Sequence, residues 1–299
     1  MDKINLIKVG TIGGLSYYFF DLVYDTYKYN YLPVPNHLNT YGRGSYALIT
    51  GASEGIGFQF AKTLASQGFN IILLSRSQEK LNSAAEYLTA RYQVKTLIYP
   101  MDLISAQESD FKSLLDSTSN LNISILVNNA GMIVYKQNED ISYPEINQIV
   151  NLNSLAAARL MHYYLPRFEK RKNKSAVINI SSLLAVQPCS VLALHSASKA
   201  FIHYMTVGLS EQYSGKIDFL SYQPGHVNTK MMVTDTNPIM IDADQAVNEC
   251  LKDLGVKTVS YGHYKHTFAA YALSLLPQSI RLKQIATKLN KDLELSKGK

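Results

Sequence analysis

The chain has 299 residues, 46% of them apolar, enough to fill one large α/β domain or two small ones. A charged fraction of 17% is low for a freely soluble surface and points to burial against a membrane or a partner, while a net charge of +6 without a dense basic run or an aromatic–basic platform speaks against nucleic acid. Two cysteines, Cys189 and Cys250, cannot build a disulfide framework, and without CxxC or HExxH spacing no metal site is expected.

Residues 1–40 differ from the rest. Ile4 to Tyr24 reads INLIKVGTIGGLSYYFFDLVY, apolar and aromatic with only Lys8 and Asp21 charged. Crossing a bilayer takes about 20 predominantly apolar residues, so this segment is marginal for a span. Its Tyr/Phe cluster at 17–20 suits a membrane interface. Two readings stand: a membrane anchor or membrane-facing helix, or an amphipathic helix packed on the domain or on a partner. Leu32-Pro-Val-Pro-Asn36 then breaks any helix and serves as a linker.

From residue 41 to 262 strands and helices alternate. Tyr46–Thr50, Asn70–Leu74, Val94–Tyr99, Ile123–Val127, Ala176–Ile180 and Ile217–Tyr222 read as buried strands. Helical patterns run over Ile56–Gly68, Ser77–Tyr92, Tyr143–Lys172 (one or two helices) and Leu194–Tyr213. Such alternation predicts a Rossmann-type, doubly wound parallel sheet covered by helices on both faces. Residues 263–299 read as a helical tail, with the apolar run Phe268–Leu276, an interruption at Pro277 and a basic amphipathic stretch beyond. That tail could lie on a membrane, close the substrate side or meet a partner.

Between the first strand and first helix of this domain stands Thr50-Gly51-Ala52-Ser53-Glu54-Gly55-Ile56-Gly57. Gly51, Gly55 and Gly57 allow a tight turn and close approach of a pyrophosphate, while Ser53, Ile56 and the free N–H groups of the helix start face it. The second strand runs into Ser75-Arg76. A basic residue there pairs with the 2′-phosphate of NADP(H), where an acidic one would take the ribose of NAD. Asp102 follows the third strand, where a carboxylate can meet the adenine amino group. Asn128-Asn129-Ala130-Gly131 follows the fourth strand, and Pro224-Gly225-His226-Val227-Asn228-Thr229 follows the sixth. Asn129, Ala130, Gly131, Pro224, Gly225, Val227 and Thr229 complete the expected cofactor set.

Together TGxxxGIG, NNAG and PGxVxT resemble the short-chain dehydrogenase/reductase family over roughly Tyr46 to Tyr261. Within it the chain looks closest to the very-long-chain 3-oxoacyl-CoA reductases and their 17β-hydroxysteroid dehydrogenase relatives, on Leu73-Leu74-Ser75-Arg76-Ser77, Ile125 to Asn129, Val177 to Ser182 and Tyr261-Gly262-His263. The resemblance implies NADP(H), an endoplasmic reticulum membrane (a mitochondrial inner membrane being the alternative), a possible homodimer through long helices and a lipid-like carbonyl substrate.

It also implies a catalytic tetrad. Asn153 matches the asparagine that holds a water, Ser182 the serine that bonds the substrate oxygen, and Lys199 the lysine that binds the nicotinamide ribose. The expected tyrosine should stand four residues before Lys199, but position 195 is histidine. Ser182 lies thirteen residues before it, the usual gap, so the register is sound. His195 and Lys199 share a helix face. A free imidazole titrates near ~6.5, and a nearby ammonium pushes that down. Its distal nitrogen falls short of a tyrosine oxygen, and a misplacement of about 1 Å can cost about 10²-fold. His203 reads as a packed or interface residue, and His226 as a loop residue near the nicotinamide. Two expectations follow. One is a family member with weak or lost reductase activity and a structural or regulatory role in a membrane-associated complex. The other is an active NADPH-dependent reductase with His195 or a water as acid.

Overall fold

The computed structural model describes the backbone of residues 3–231 and 237–297, so the two ends of the chain and residues 232–236 lie outside the described residues. In chain order the elements are α1 (Lys3–Tyr31), α2 (Leu38–Tyr41), β1 (Tyr46–Thr50), α3 (Gly55–Ser66), β2 (Asn70–Ser75), α4 (Gln78–Tyr92), β3 (Thr96–Pro100), α5 (Glu108–Ser117) and β4 (Ile123–Asn128). There follow α6 (Tyr143–Val150), α7 (Ala156–Glu169), β5 (Ser175–Ile180), α8 (Ala193–Gln212), β6 (Ile217–Tyr222), β7 (Val227–Asn228), β8 (Ile241–Asp242), α9 (Ala243–Asp253), β9 (Val259–Ser260), α10 (Tyr264–Ser274) and α11 (Gln278–Lys297).

The main sheet has the order β3-β2-β1-β4-β5-β6-β9, and every neighbouring pair in it is parallel. A parallel strand covered on both faces must be apolar throughout, which is why β1, β4 and β5 are near-continuous hydrophobic runs. Successive side chains alternate between two cores. Ala47 and Ile49 join Phe60, Leu64, Val247 and Leu251 on one face, against α3 and α9. Leu48 joins Phe111, Leu160, Tyr164 and Phe168 on the other, against α5 and α7. The strand order reverses between β1 and β4, and a doubly wound sheet opens its ligand crevice at such a point.

The doubly wound expectation therefore holds, and the structure adds α2, α5, β7, β8, α9 and β9, which the sequence pattern does not announce. Helices α5 and α9 and the edge strand β9 complete the layers. The Tyr143–Lys172 pattern resolves into α6 and α7, joined without a break by a π-turn over Asn151–Leu155. Such turns bulge one residue outward and often sit at functional positions.

Helix α1 runs past the apolar stretch as far as Tyr31 and stops just before Pro33. Among the described residues no helix is long and apolar enough to cross a membrane. Its C-terminal half is fastened to the domain by charge. Lys28 is fully buried, pairs with Asp25 at 3.1 Å and donates to Asp253 at 2.7 Å and to the Gly262 carbonyl at 3.2 Å. Lys257 bridges Asp21 and Asp25 at 2.8 and 2.9 Å, and Thr267 and Tyr271 of α10 donate to the same two carboxylates. Tyr17, Phe19, Phe20, Tyr27 and Tyr31 stay exposed on the rest of its surface. Helix α11 packs Ile285, Leu289 and Leu293 on Cys189, Val191 and Leu192 of the loop ahead of α8.

Candidate active site

The crevice outside the C-terminal ends of β1 and β4 is a cleft of about 560 Å³. It runs from Arg76 and Asp102 at one end, past Gly51, Ser53, Gly55 and Ile56, to Ser182, His195 and Lys199 at the other. Asn129, Ala130, Gly131, Pro224, Gly225, Val227 and Thr229 also line it, so the sequence-predicted set converges on one cavity.

The glycine turn works through close backbone contacts. Gly51 has φ +63°, and a Cβ on Gly57 would lie 2.3 Å from the Gly51 carbonyl and 2.5 Å from Asn129 Nδ2. Asn129 locks the turn from below, since its amide donates to the carbonyls of Thr50 (2.9 Å) and Gly51 (3.3 Å). The Thr50 hydroxyl accepts in return from the N–H groups of Asn129 and Ala130. No side chain caps the N-terminus of α3, whereas Ser77 caps α4. An uncapped helix start facing a cleft leaves N–H groups and dipole for an anion, and the turn above it is empty of side chain, so a pyrophosphate fits the residues present.

Arg76 is exposed at the cleft rim beyond β2, and no ion pair engages it among the described residues. Asp102 is also exposed, but one of its oxygens accepts from the Ile104 N–H at 3.0 Å, which turns the carboxylate partly back into its own loop. Gly225 answers to crowding: a Cβ there would meet His266 at 2.7 Å and Leu183 at 2.9 Å.

At the other end the side chains are held tightly. Lys199 is buried, and its ammonium donates to the Ile180 carbonyl at 2.8 Å. Burial lowers its pKa to about 8. Gly131 permits this arrangement, because a Cβ there would sit 3.2 Å from both Lys199 Nζ and Asn153 Oδ1. Asn153 stands on the π-turn. Its oxygen accepts from Met132 N–H (2.8 Å), and its amide donates to the Met132 carbonyl (3.0 Å) and to Ser198 Oγ (3.2 Å). Those bonds use both amide protons, so the Asn153 side chain holds the strand-end loop at Met132. Ser182 accepts from the Leu184 N–H at 3.1 Å and keeps its own proton to donate into the cleft.

His195 is buried with Nδ1 3.2 Å from the Met132 carbonyl. A carbonyl can only accept, so this nearer contact favours the tautomer with the ring proton on Nδ1 and Nε2 bare over the one that the Asn153 amide nitrogen, 3.5 Å from Nδ1, would need. Burial first, and the Lys199 charge second, lower its pKa to about 3. The ring is therefore neutral at pH 7 and presents no proton at its far nitrogen. His203 and His226 are accounted for by structure. His203 bonds Ser221 and Gln223 in the core beneath α8, and His226 is half-buried beside the β7–β8 pair and does not line the cleft.

Three contributors escaped the sequence reading. Met132 supplies the carbonyl that fixes the His195 tautomer, and nothing in its side chain announces that role. Met132, Ile133, Leu152 and Met231 give the reaction end apolar walls. Glu54 bridges Lys80 and Lys230 across the rim at 3.1 Å each. Its charge was legible in the glycine turn, but its partners, far along the chain, were not.

Comparison with known proteins places this geometry. The short chain dehydrogenase family matches residues 45–238. A very-long-chain 3-oxoacyl-CoA reductase of Anas platyrhynchos is 31% identical over 258 residues, covering 84% of this chain and 82% of the relative. A structure from a study of 7beta-hydroxysteroid dehydrogenase stereoselectivity superposes with a TM-score of 0.77 at 22% identity, over 84% of this chain and 99% of the other, a likeness of fold. A short-chain dehydrogenase from Sphingobium yanoikuyae in complex with NADPH gives 0.65 at 27% identity, over 70% and 84% of the two chains.

Proposed function

Since this chain belongs to the short chain dehydrogenase family, we propose that it binds NADP(H) and that its carbonyl-reducing chemistry is weak or lost. The glycine turn and the uncapped start of α3 would hold the pyrophosphate, Arg76 the 2′-phosphate, and Lys199 with the Pro224–Thr229 loop the nicotinamide end. When bound, the cofactor supplies the hydride. What the chain must add is a proton for the developing alkoxide. Ser182 can hydrogen-bond the carbonyl oxygen, but it has no acidic proton to give.

The observation that carries the reading is the His195 ring. It stands where the family resemblance expects tyrosine, with its one proton directed at the Met132 carbonyl. Protonating Nε2 would place a second charge in a buried pocket beside the Lys199 ammonium. The acid needed for reduction is thus absent at neutral pH. Similarity to very-long-chain 3-oxoacyl-CoA reductases supports a lipid-like carbonyl as the ancestral substrate class. The exposed aromatic residues of α1 support attachment to a membrane or a membrane-protein complex, with the endoplasmic reticulum as the location the family resemblance implies, and a structural or regulatory role there.

The test has two arms. Tight NADPH binding by the full chain, with no steady NADPH oxidation in the presence of a long-chain 3-oxoacyl-CoA, is expected. Steady turnover that Lys199→Ala abolishes would overturn the loss of activity. That second outcome fits the alternative reading, a working NADPH-dependent reductase using a water as proton carrier. The intact placement of Ser182 and Lys199 at one end of the cleft favours it.

A further inference from the structure

Lys199 carries a buried charge without a counter-ion. Nearly all of its side chain is out of water, yet it lines the reaction end of the cleft. No ion pair engages it among the described residues, and the Ile180 carbonyl, at 2.8 Å, accepts one of its protons. Gly131 lies against the same nitrogen, since a Cβ there would come within 3.2 Å of it, so that side carries no side chain. One turn earlier on α8 stands His195, whose ring is neutral at pH 7 and offers the ammonium no negative charge. A tyrosine at that place could ionise and pair with it; a neutral imidazole cannot.

An isolated buried ammonium is costly, and a lysine escapes the cost by giving up its proton. Burial brings Lys199 down to about 8 from an ordinary 10.5. At pH 7 about one such side chain in ten is then a free amine, against about three in ten thousand for an ordinary lysine. A desolvated amine is the form that attacks a carbonyl carbon. Donation of one N–H to Ile180 leaves the nitrogen lone pair unused. Met132, Ile133 and Leu152 wall that end of the cleft with apolar surface, and Ser182 keeps a proton to donate to a carbonyl oxygen. Nucleophile, hydrogen-bond donor and apolar wall thus line one end of one cavity.

We propose that Lys199 reversibly captures an apolar aldehyde as a Schiff base, an activity of the cleft that needs no cofactor and goes beyond the function proposed for the chain. The amine nitrogen bonds to the carbonyl carbon while the C=O π pair moves to oxygen. Ser182 hydrogen-bonds that oxygen, and a proton from the nitrogen neutralises it. The carbinolamine then loses its hydroxyl as water, together with the proton that the ammonium had released, and the C–N bond becomes C=N. In sum an ammonium and an aldehyde give a protonated imine and water. Nothing is oxidised or reduced, and water reverses the step.

The experiment incubates the full chain, free of cofactor, with octanal and sodium cyanoborohydride at pH 7. The borohydride turns an imine into a stable secondary amine, and peptide mass spectrometry maps the lysines that carry it. Lys199 is expected to be labelled about 10²-fold faster than exposed lysines such as Lys283 and Lys291, following its larger share of free amine. Lys199→Arg, which keeps the charge and loses the amine, should remove the fast label alone. Mapping on the native chain stands whether or not that variant folds. Labelling of Lys199 no faster than that of the exposed lysines, or a fast label that persists in Lys199→Arg, overturns the inference. Saturating NADPH should block the fast label, because the cofactor reading places the nicotinamide end at Lys199. Fast trapping at Lys199 that NADPH leaves untouched supports the inference and counts against the cofactor reading instead.

Discussion

The two ends of the cleft are made of different materials. The phosphate end is built from main chain: glycines, helix N–H groups and a turn locked by Asn129. The reaction end is built from side chains, each with one atom that matters. A backbone site survives the exchange of most side chains around it, because its donors are the peptide groups themselves. A side-chain site does not: on the proposed reading, the histidine at position 195 leaves no proton at the place where reduction needs it. Holding a dinucleotide and using it are thus separable properties, and the function proposed above has them separated along a single groove.

The comparison breaks most readily at His195. The variant His195→Tyr should raise NADPH-dependent reduction of a long-chain 3-oxoacyl-CoA by at least about 10²-fold, the lower bound of what a positioned general acid contributes. Equal steady-state rates for variant and native chain would mean that the two ends are not divided as described.

Gly57→Ala probes the opposite end. Its Cβ would press on the Gly51 carbonyl at 2.3 Å, so the turn must deform. NADPH affinity should fall about 10²-fold, comparable to the cost of overpacking a tight site. Titration of NADPH fluorescence reads this directly, and unchanged affinity would show that the turn is not the phosphate seat. Arg76→Ala is a smaller change in the same region. It should weaken NADPH about tenfold, as loss of a charged hydrogen bond does, and leave NADH nearly untouched.

The smallest effect tests the neutral state of His195 through stability. Its folded pKa of about 3 lies below the unfolded value near 6.5. The unfolded chain therefore takes up a proton that the folded one refuses, and the stability contributed above pH 6.5 is lost as pH falls toward 3. At pH 5.5 this one residue should shift the unfolding equilibrium about tenfold toward the unfolded state relative to pH 8. His226, His263 and His266, each lowered to about 4 by burial first, add losses in the same direction. Urea midpoints for native and His195→Gln chains at the two pH values isolate the His195 share, and a difference that does not change with pH would refute the neutral assignment.

Much of this was legible beforehand because it is local. A strand, a glycine turn and a helix start are neighbours in sequence, so Tyr46 to Gly57 announces its own geometry. Arg76 is read the same way, from its place at a strand end. The missing tyrosine was legible from spacing alone. Contacts between distant segments were not. Nothing near His195 shows that the Met132 carbonyl, 63 residues away, will fix its proton. Helix α9 was passed over, although Ala246, Val247, Cys250 and Leu251 bury one face of it, because its polar residues dilute the pattern. Asp21 reads as one of two charges in the apolar stretch 4–24, and Asp25 and Lys28 lie just beyond it, yet these three are what attach α1.

That attachment sets an order of events during synthesis. Lys28 and Asp253 are 225 residues apart, and Tyr271 is 250 residues beyond Asp21. At roughly 5–20 residues per second, α1 leaves the ribosome about 11 to 50 s before its buried partners exist. Throughout that interval its carboxylates and ammonium remain in water and its aromatic side is open on all flanks. Whatever surface first meets the nascent helix does so without competition from the domain.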